Sequence, residues 1–157
     1  MTVSQRQHIQ VKTELIALNQ VLSWFEQFDH TFVPEAVWLQ CQLALAEGFT
    51  NAVRHAHKGK PAHTPIDIEI GVSEEYMEIR IWDCGPQSNL GEVLETLSQE
   101  MDRDAEGGRG LKLMKKVADR LSYERCQIDG YPRNCLEIVK YYAHRPQAIA
   151  HLPSENA

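Results

Sequence analysis

Apolar positions switch between a helical and an alternating period several times along the chain. After a short candidate strand at His8–Lys12, the residues Leu15, Leu18, Val21, Leu22, Phe25 and Phe28 recur at helical spacing and predict an amphipathic helix over roughly 14–28. Pro34 suits the first turn of a second helix that runs to about His57, with Gly59 as its C-cap and Pro61 behind it. In that helix Trp38, Cys41, Leu45, Phe49, Ala52 and Ala56 form one apolar stripe, wide enough to pack on a sheet. Glu47, Asn51, Arg54 and Lys58 fall together on the opposite side. Ile66, Ile68, Ile70 and Val72 then alternate with polar residues, as do Met77, Ile79 and Ile81. The two runs flank Ser73-Glu74-Glu75 and read as an antiparallel hairpin with one buried face.

Ser88 or Asn89 is placed to cap a helix carrying Leu90, Val93, Leu94, Leu97 and Met101. A helix at 111–121 presents Leu111, Met114, Val117, Ala118 and Leu121 on one side and lysines on the other. The last hairpin is predicted from Ser122–Ile128 and Cys135–Tyr142, around Asp129-Gly130-Tyr131-Pro132. Residues 1–5 and the tail 144–157 carry no such pattern and are expected to be loose, leaving a single domain over 1–143. Helices that alternate with hairpins, without a βαβ crossover, predict a two-layer α/β (α+β) sandwich. Its mixed, mostly antiparallel sheet is covered on one face by helices.

Composition narrows the function classes. The 157 residues are 43% hydrophobic and 24% charged, the make-up of one soluble domain. A net charge of −6 argues against a nucleic-acid or anionic-membrane partner, since no basic surplus is available to displace counterions from phosphates. Lys112, Lys115 and Lys116 form at most a local basic patch. No apolar run reaches membrane-spanning length. The four cysteines lack any CxxC or zinc-like spacing and read as reduced, buried thiols of a cytoplasmic protein. The histidines have no ligand pattern; His55 and His57, two apart, cannot share a helix face.

Three motifs carry chemistry. Glu47, Asn51 and Arg54 stack an acid, an amide and a cation on one helix face. That face suits a magnesium–triphosphate complex, though a solvated face with a weak Glu47–Arg54 or Asn51–Lys58 pairing also fits the charges. Asn51 is harder to explain by solvation, because mid-helix asparagine is unfavourable without a cap to make. Asp83-Cys84-Gly85 ends a strand, where a carboxylate can accept from an exocyclic amine and a glycine can admit a flat ring; alone, it is also an ordinary turn. Gly107-Gly108-Arg109-Gly110 opens a helix and offers backbone N–H groups to a phosphate, or simply a flexible loop. It is neither a Walker A loop nor a dinucleotide fingerprint.

Taken in order, these motifs resemble the GHKL ATP-binding superfamily over roughly residues 8–142, which implies the Bergerat fold. Glu47…Asn51-Ala52-Val53-Arg54 is similar to its N box, Asp83-Cys84-Gly85 to its first glycine box and Gly107-Gly108-Arg109-Gly110-Leu111 to its second. Within the superfamily, the run Gly108–Met114 is most similar to the anti-sigma-factor serine/threonine kinases of bacteria. The resemblance implies ATP and Mg²⁺ as cofactors. Asn51 would hold the metal, Arg54 would sit near the phosphates, and Asp83 and Gly85 would receive adenine. Gly107, Gly108, Arg109, Gly110 and Leu111 would line the triphosphate under a lid at Gln87–Glu106.

Glu47 would be the catalytic base, a position where histidine kinases usually carry asparagine. The implied partners are a small antagonist protein that accepts the phosphoryl group, a sigma factor and a second copy of the chain. The rival readings are a non-catalytic ATP-binding interaction module and, behind it, a free-standing ATPase. Two departures stand out. Pro86-Gln87-Ser88-Asn89 follows the first glycine box where such kinases commonly continue Gly-Phe-Asp, and the strand from Cys135 lacks a threonine often found near the nucleotide.

Overall fold

The computed structural model describes residues 5–96 and 108–142. Five strands, β1 (Gln5–Lys12), β2 (Pro65–Val72), β3 (Tyr76–Asp83), β4 (Arg120–Ile128) and β5 (Tyr131–Tyr141), form one sheet in the order β1-β2-β3-β5-β4. Every pairing is antiparallel, so no parallel pair stands behind the expected mixed character among the described residues. Helices α1 (Ala17–Phe25), α2 (Glu35–Asn51), α3 (Leu90–Thr96) and α4 (Gly108–Val117) complete the fold, a π-helical turn (Ala52–Ala56) continuing α2. No described helix is long and apolar enough to cross a membrane.

The two periods account for the layers. In β2 and β3 the alternating Ile66, Ile68, Ile70, Val72, Met77, Ile79 and Ile81 are all buried. Register carries the apolar row across the sheet: Ile9 faces Ile68, Ile68 faces Ile81, Ile81 faces Leu136, and Leu136 faces Tyr123. The other sheet face is polar, with Arg6 and Arg80 ion-paired to Glu69 and Glu78, and Arg80 also to Glu137.

Trp38, Cys41, Leu45, Phe49 and Ala52 of the predicted stripe are buried with Ala44 and Gly48, while Ala56 is only half-buried. A Cβ at Gly48 would come within 2.7 Å of Ile81 Cδ1 and 3.0 Å of Leu136 Cδ2, so the glycine brings α2 directly onto β3 and β5. Trp38 is sandwiched between Phe25 and His30, with ring centroids 4.1 and 4.0 Å away, and ties α1 to α2.

Several boundaries move, each for a physical reason. The strand expected from His8 starts at Gln5, paired with Val72. The regular α-helix stops at Asn51, after which the His57 amide bonds to Ala52 five residues back. Gly59 then adopts φ +83°, as its capping position requires. The Ser88 hydroxyl, at 2.9 Å, accepts the Leu90 amide and so caps α3. Leu97, Met101 and residues 97–107 of the proposed lid lie outside the described residues, as do 1–4 and 143–157 with the expected tail.

The helix expected at 111–121 begins three residues earlier and ends at Val117, where the Asp119 amide is captured by Val139 of β5. The final hairpin turns on two residues rather than four. Asp129 (φ 52°) and Gly130 (φ 82°) are both left-handed, the requirement of a type I′ turn. Of the four free thiols, Cys41 alone is fully buried and its pKa is pushed up to about 12 by burial; the others are half-buried.

Ile68 sits at zero exposure in the central row. Ile68→Ala is expected to cost about 2–5 kcal/mol of stability, read as a lower urea midpoint with an unchanged slope. A loss below roughly 1 kcal/mol would mean that this row does not form the core.

Candidate functional site

Asp83 ends β3 on the helix-covered side, where β5 places Asn134 opposite it and β4 places Arg125 opposite Asn134. The carboxylate is buried, and donors surround it. Its Oδ1 accepts from the Gly85 amide at 2.8 Å and from Asn134 Nδ2 at 2.9 Å; Oδ2 accepts from the Tyr123 hydroxyl at 2.6 Å. Burial, reinforced by this bond, raises the Tyr123 phenol well above its ordinary pKa, which keeps it a donor. A carboxylate has roughly four lone-pair positions. Three are taken here, and Oδ2 retains capacity for one more donor, such as an exocyclic amine.

The loop beyond Asp83 is held with equal care. Asn134 Nδ2 also reaches the carbonyls of Gly85 and Pro86 at 3.2 and 3.1 Å, while Arg125 donates to the Gly85 carbonyl at 2.9 Å and to Asn134 Oδ1 at 3.1 Å. A Cβ at Gly85 would lie 2.6 Å from the Ala56 carbonyl, so the π-helical turn itself occupies the space that this glycine frees. The glycine is therefore required by a close backbone approach between the loop and the end of α2.

Glu47 and Asn51 occupy consecutive turns of one face of α2, both half-buried. Across from them α4 starts with Gly108, Arg109 and Gly110, so the glycine motif forms the first helical turn instead of preceding it. A Cβ added at Gly110 would fall onto the Glu47 carboxylate, 3.2 Å from its Cδ. The acid of the first motif thus lies against the helix N-terminus of the third. The first amides of any helix lack intrahelical acceptors and attract anions, and here they belong to Gly108, Arg109, Gly110 and Leu111. Gly110 is buried, Leu111 half-buried and Arg109 exposed.

Arg54 lies in the π-helical turn and is exposed; the wider winding after Asn51 breaks the α-helical projection that put Arg54 and Lys58 on the Glu47 face. Gly107 lies outside the described residues. Within the described chain, then, Glu47 meets Gly110, and Gly85 meets the turn that follows Asn51.

A family model for the histidine kinase-like ATPase domain matches residues 11–140. The chain belongs to this family. Curated relatives similar to this ATPase-family domain include the serine-protein kinase RsbW of Bacillus licheniformis, 31% identical over 93 residues, 56% of each chain. RsbW of Bacillus pumilus is 34% identical over 91 residues (53% of this chain, 55% of the relative), and that of Bacillus subtilis 32% over 85 (51% and 52%). The chain spans about half the length of the curated relatives it matches.

Tyr123, Arg125, Asn134 and His57 belong to the site's framework but were not among the residues singled out from sequence. The Asp129-Gly130 dipeptide was the available signal, since a two-residue turn there fixes Arg125 opposite Asn134. Pairing of β5 with β3 is non-local and has no such marker.

The two glycines differ in what blocks them, and alanine substitutions separate the cases. Gly85→Ala meets backbone and is expected to destabilise by about 1–3 kcal/mol. Gly110→Ala meets the end of a side chain, so stability holds or rises by up to about 1 kcal/mol while the Glu47 carboxylate is displaced. Thermal unfolding of both variants checks this; equal losses would contradict the packing described.

Proposed function

We propose that this domain is an ATP- and Mg²⁺-dependent protein serine/threonine kinase of the anti-sigma type. It would transfer the γ-phosphoryl group to a serine on a small antagonist protein. The observation that carries the reading is the contact between Glu47 and Gly110, which brings a carboxylate against a helix N-terminus suited to phosphate oxygens. A carboxylate in that position can take the proton from an incoming serine hydroxyl. It is a base of the kind that phosphoryl transfer uses to orient its nucleophile. Similarity to kinases named as serine-specific supports the same choice.

The remaining residues divide the nucleotide between them. Asp83 accepts the adenine amine through its spare Oδ2 position, beside the loop carrying Gly85. Gly107, Gly108, Arg109, Gly110 and Leu111 receive the triphosphate, with Arg54 at its solvent side. Asn51 offers an amide oxygen one turn from Glu47, a hard donor that fits Mg²⁺, an ion that keeps most of its waters and leans on substrate phosphates. When bound, the metal neutralises charge on the phosphates. Partner switching follows from this chemistry: the domain holds a sigma factor or its antagonist, and phosphorylation of the antagonist decides which. A cytoplasmic homodimer is the form in which we expect it to work.

Glu47→Ala removes the base without touching adenine. Transfer from γ-labelled ATP to the antagonist is expected to fall about 10²–10⁴-fold while ATP affinity holds. Asn51→Ala is expected to abolish the magnesium dependence of ATP binding measured by calorimetry. If the wild type binds both ATP and a co-purifying partner but transfers no phosphate, the domain is a non-catalytic ATP-binding module. If Asn51→Ala keeps the full magnesium dependence, the metal assignment is wrong.

A further inference from the structure

His57 follows the π-helical turn, and its side chain reaches back to the strand that carries Asp83. The Cys84 amide donates to His57 Nε2 at 2.8 Å. A backbone amide can only donate, so Nε2 carries no proton. In the neutral ring Nδ1 then carries it and donates to Thr13 Oγ1 at 2.7 Å, and the Thr13 hydroxyl donates in turn to the Thr64 carbonyl at 2.6 Å. Every direction in this relay follows from the first bond. The residue is buried, at 1% exposure.

The relay joins four parts of the chain: the segment after β1, the end of the helix bearing Glu47 and Asn51, the residue before β2, and the turn Asp83-Cys84-Gly85. Beside it, Gly85 abuts the Ala56 carbonyl. We propose that His57, as a neutral acceptor, is a positioning residue that sets the Asp83–Gly85 turn against the end of α2. It thereby couples the adenine half of the site to the metal and phosphate half. This rests on the nucleotide reading above and adds to it a residue outside all three motifs.

Protonation would put a hydrogen on Nε2, facing the Cys84 N–H. The charged groups around the ring are Asp83 of β3, which favours the imidazolium, and Lys60 after the π-helical turn and Arg133 of β5, which oppose it. Burial is the largest effect; it outweighs Asp83 and, together with Lys60 and Arg133, lowers the pKa below its ordinary 6.5. The unfolded chain therefore binds more protons in the window below pH 6.5. The relay's contribution is complete above that value and is lost as pH falls through the lowered pKa.

Calorimetric ATP titrations in Mg²⁺ across about pH 5–8, with wild type, His57→Gln and His57→Phe, test the assignment. Glutamine keeps an acceptor oxygen and cannot titrate; phenylalanine has no acceptor. Wild type is expected to lose roughly tenfold in affinity towards the acid end. His57→Gln is expected to hold a flat profile at the wild-type neutral value, and His57→Phe to be weak throughout. A His57→Gln profile that falls in parallel with wild type would overturn the proposal, because the titrating group would then lie elsewhere. Absence of ATP binding by wild type at pH 8 would count against the nucleotide reading. The relay is judged separately by ¹⁵N NMR of wild type and His57→Gln, which does not depend on ATP. An unprotonated Nε2 with a Cys84 amide perturbed in the variant supports the relay, and a protonated Nε2 at pH 8 overturns it.

Discussion

A buried carboxylate needs donors, and the Asp83 side chain recruits them from three strands' worth of structure. Leaving such an ion unpaired would cost several kcal/mol, so β4 and β5 cannot slip relative to β3 without exposing it to that penalty. Tyr123, Asn134 and the Gly85 amide together fix both carboxylate oxygens. Asn134 and Arg125 extend the hold to the carbonyls of Gly85 and Pro86. The same residue that would read adenine is thus the anchor of the loop on which adenine would rest. Recognition and local fold would share one side chain.

The second half of the site depends on close approach instead of hydrogen bonding. Gly48 lets α2 lie on β3 and β5, and Gly110 lets the first turn of α4 lie against Glu47. Both contacts belong to one face-to-face arrangement of α2, α4 and the sheet, in which a β-carbon at either point would displace a neighbour. The π-helical turn then widens α2 at its end and delivers Ala56 to Gly85 and His57 to Cys84. An α-helical continuation would rotate these residues away from the loop. One irregular turn therefore joins the two halves.

What could be read from sequence followed the range of the interactions. Periodicity sufficed for the strands of the central hairpin and the buried stripe of α2, because burial imposes a period on contiguous residues. The motif order was sufficient to assign the family, since Glu47, Asp83 and Gly110 each sit in a short contiguous motif. The π-helical turn was not legible: Ala52–Ala56 fits a regular helix equally well, and the distinction arises from contacts with Gly85 and Cys84 some 30 residues on. Tyr123 and Asn134 were missed for a related reason, as neither looks unusual until β5 pairs with β3. His57, which shows no ligand pattern in the sequence, is structural, and its partners lie far off in the chain.

The claim on which the account turns is that the Asp83 loop and the α2–α4 contact form one nucleotide site that recognises adenine. Titration calorimetry of the wild type with ATP and with GTP, both in Mg²⁺, tests it most directly. Guanine presents a carbonyl where adenine presents an amine, and a carbonyl facing the Asp83 carboxylate leaves a buried acceptor unpaired. The account predicts one ATP bound per chain and GTP weaker by about ten- to a hundredfold. Equal affinity for the two nucleotides would contradict it.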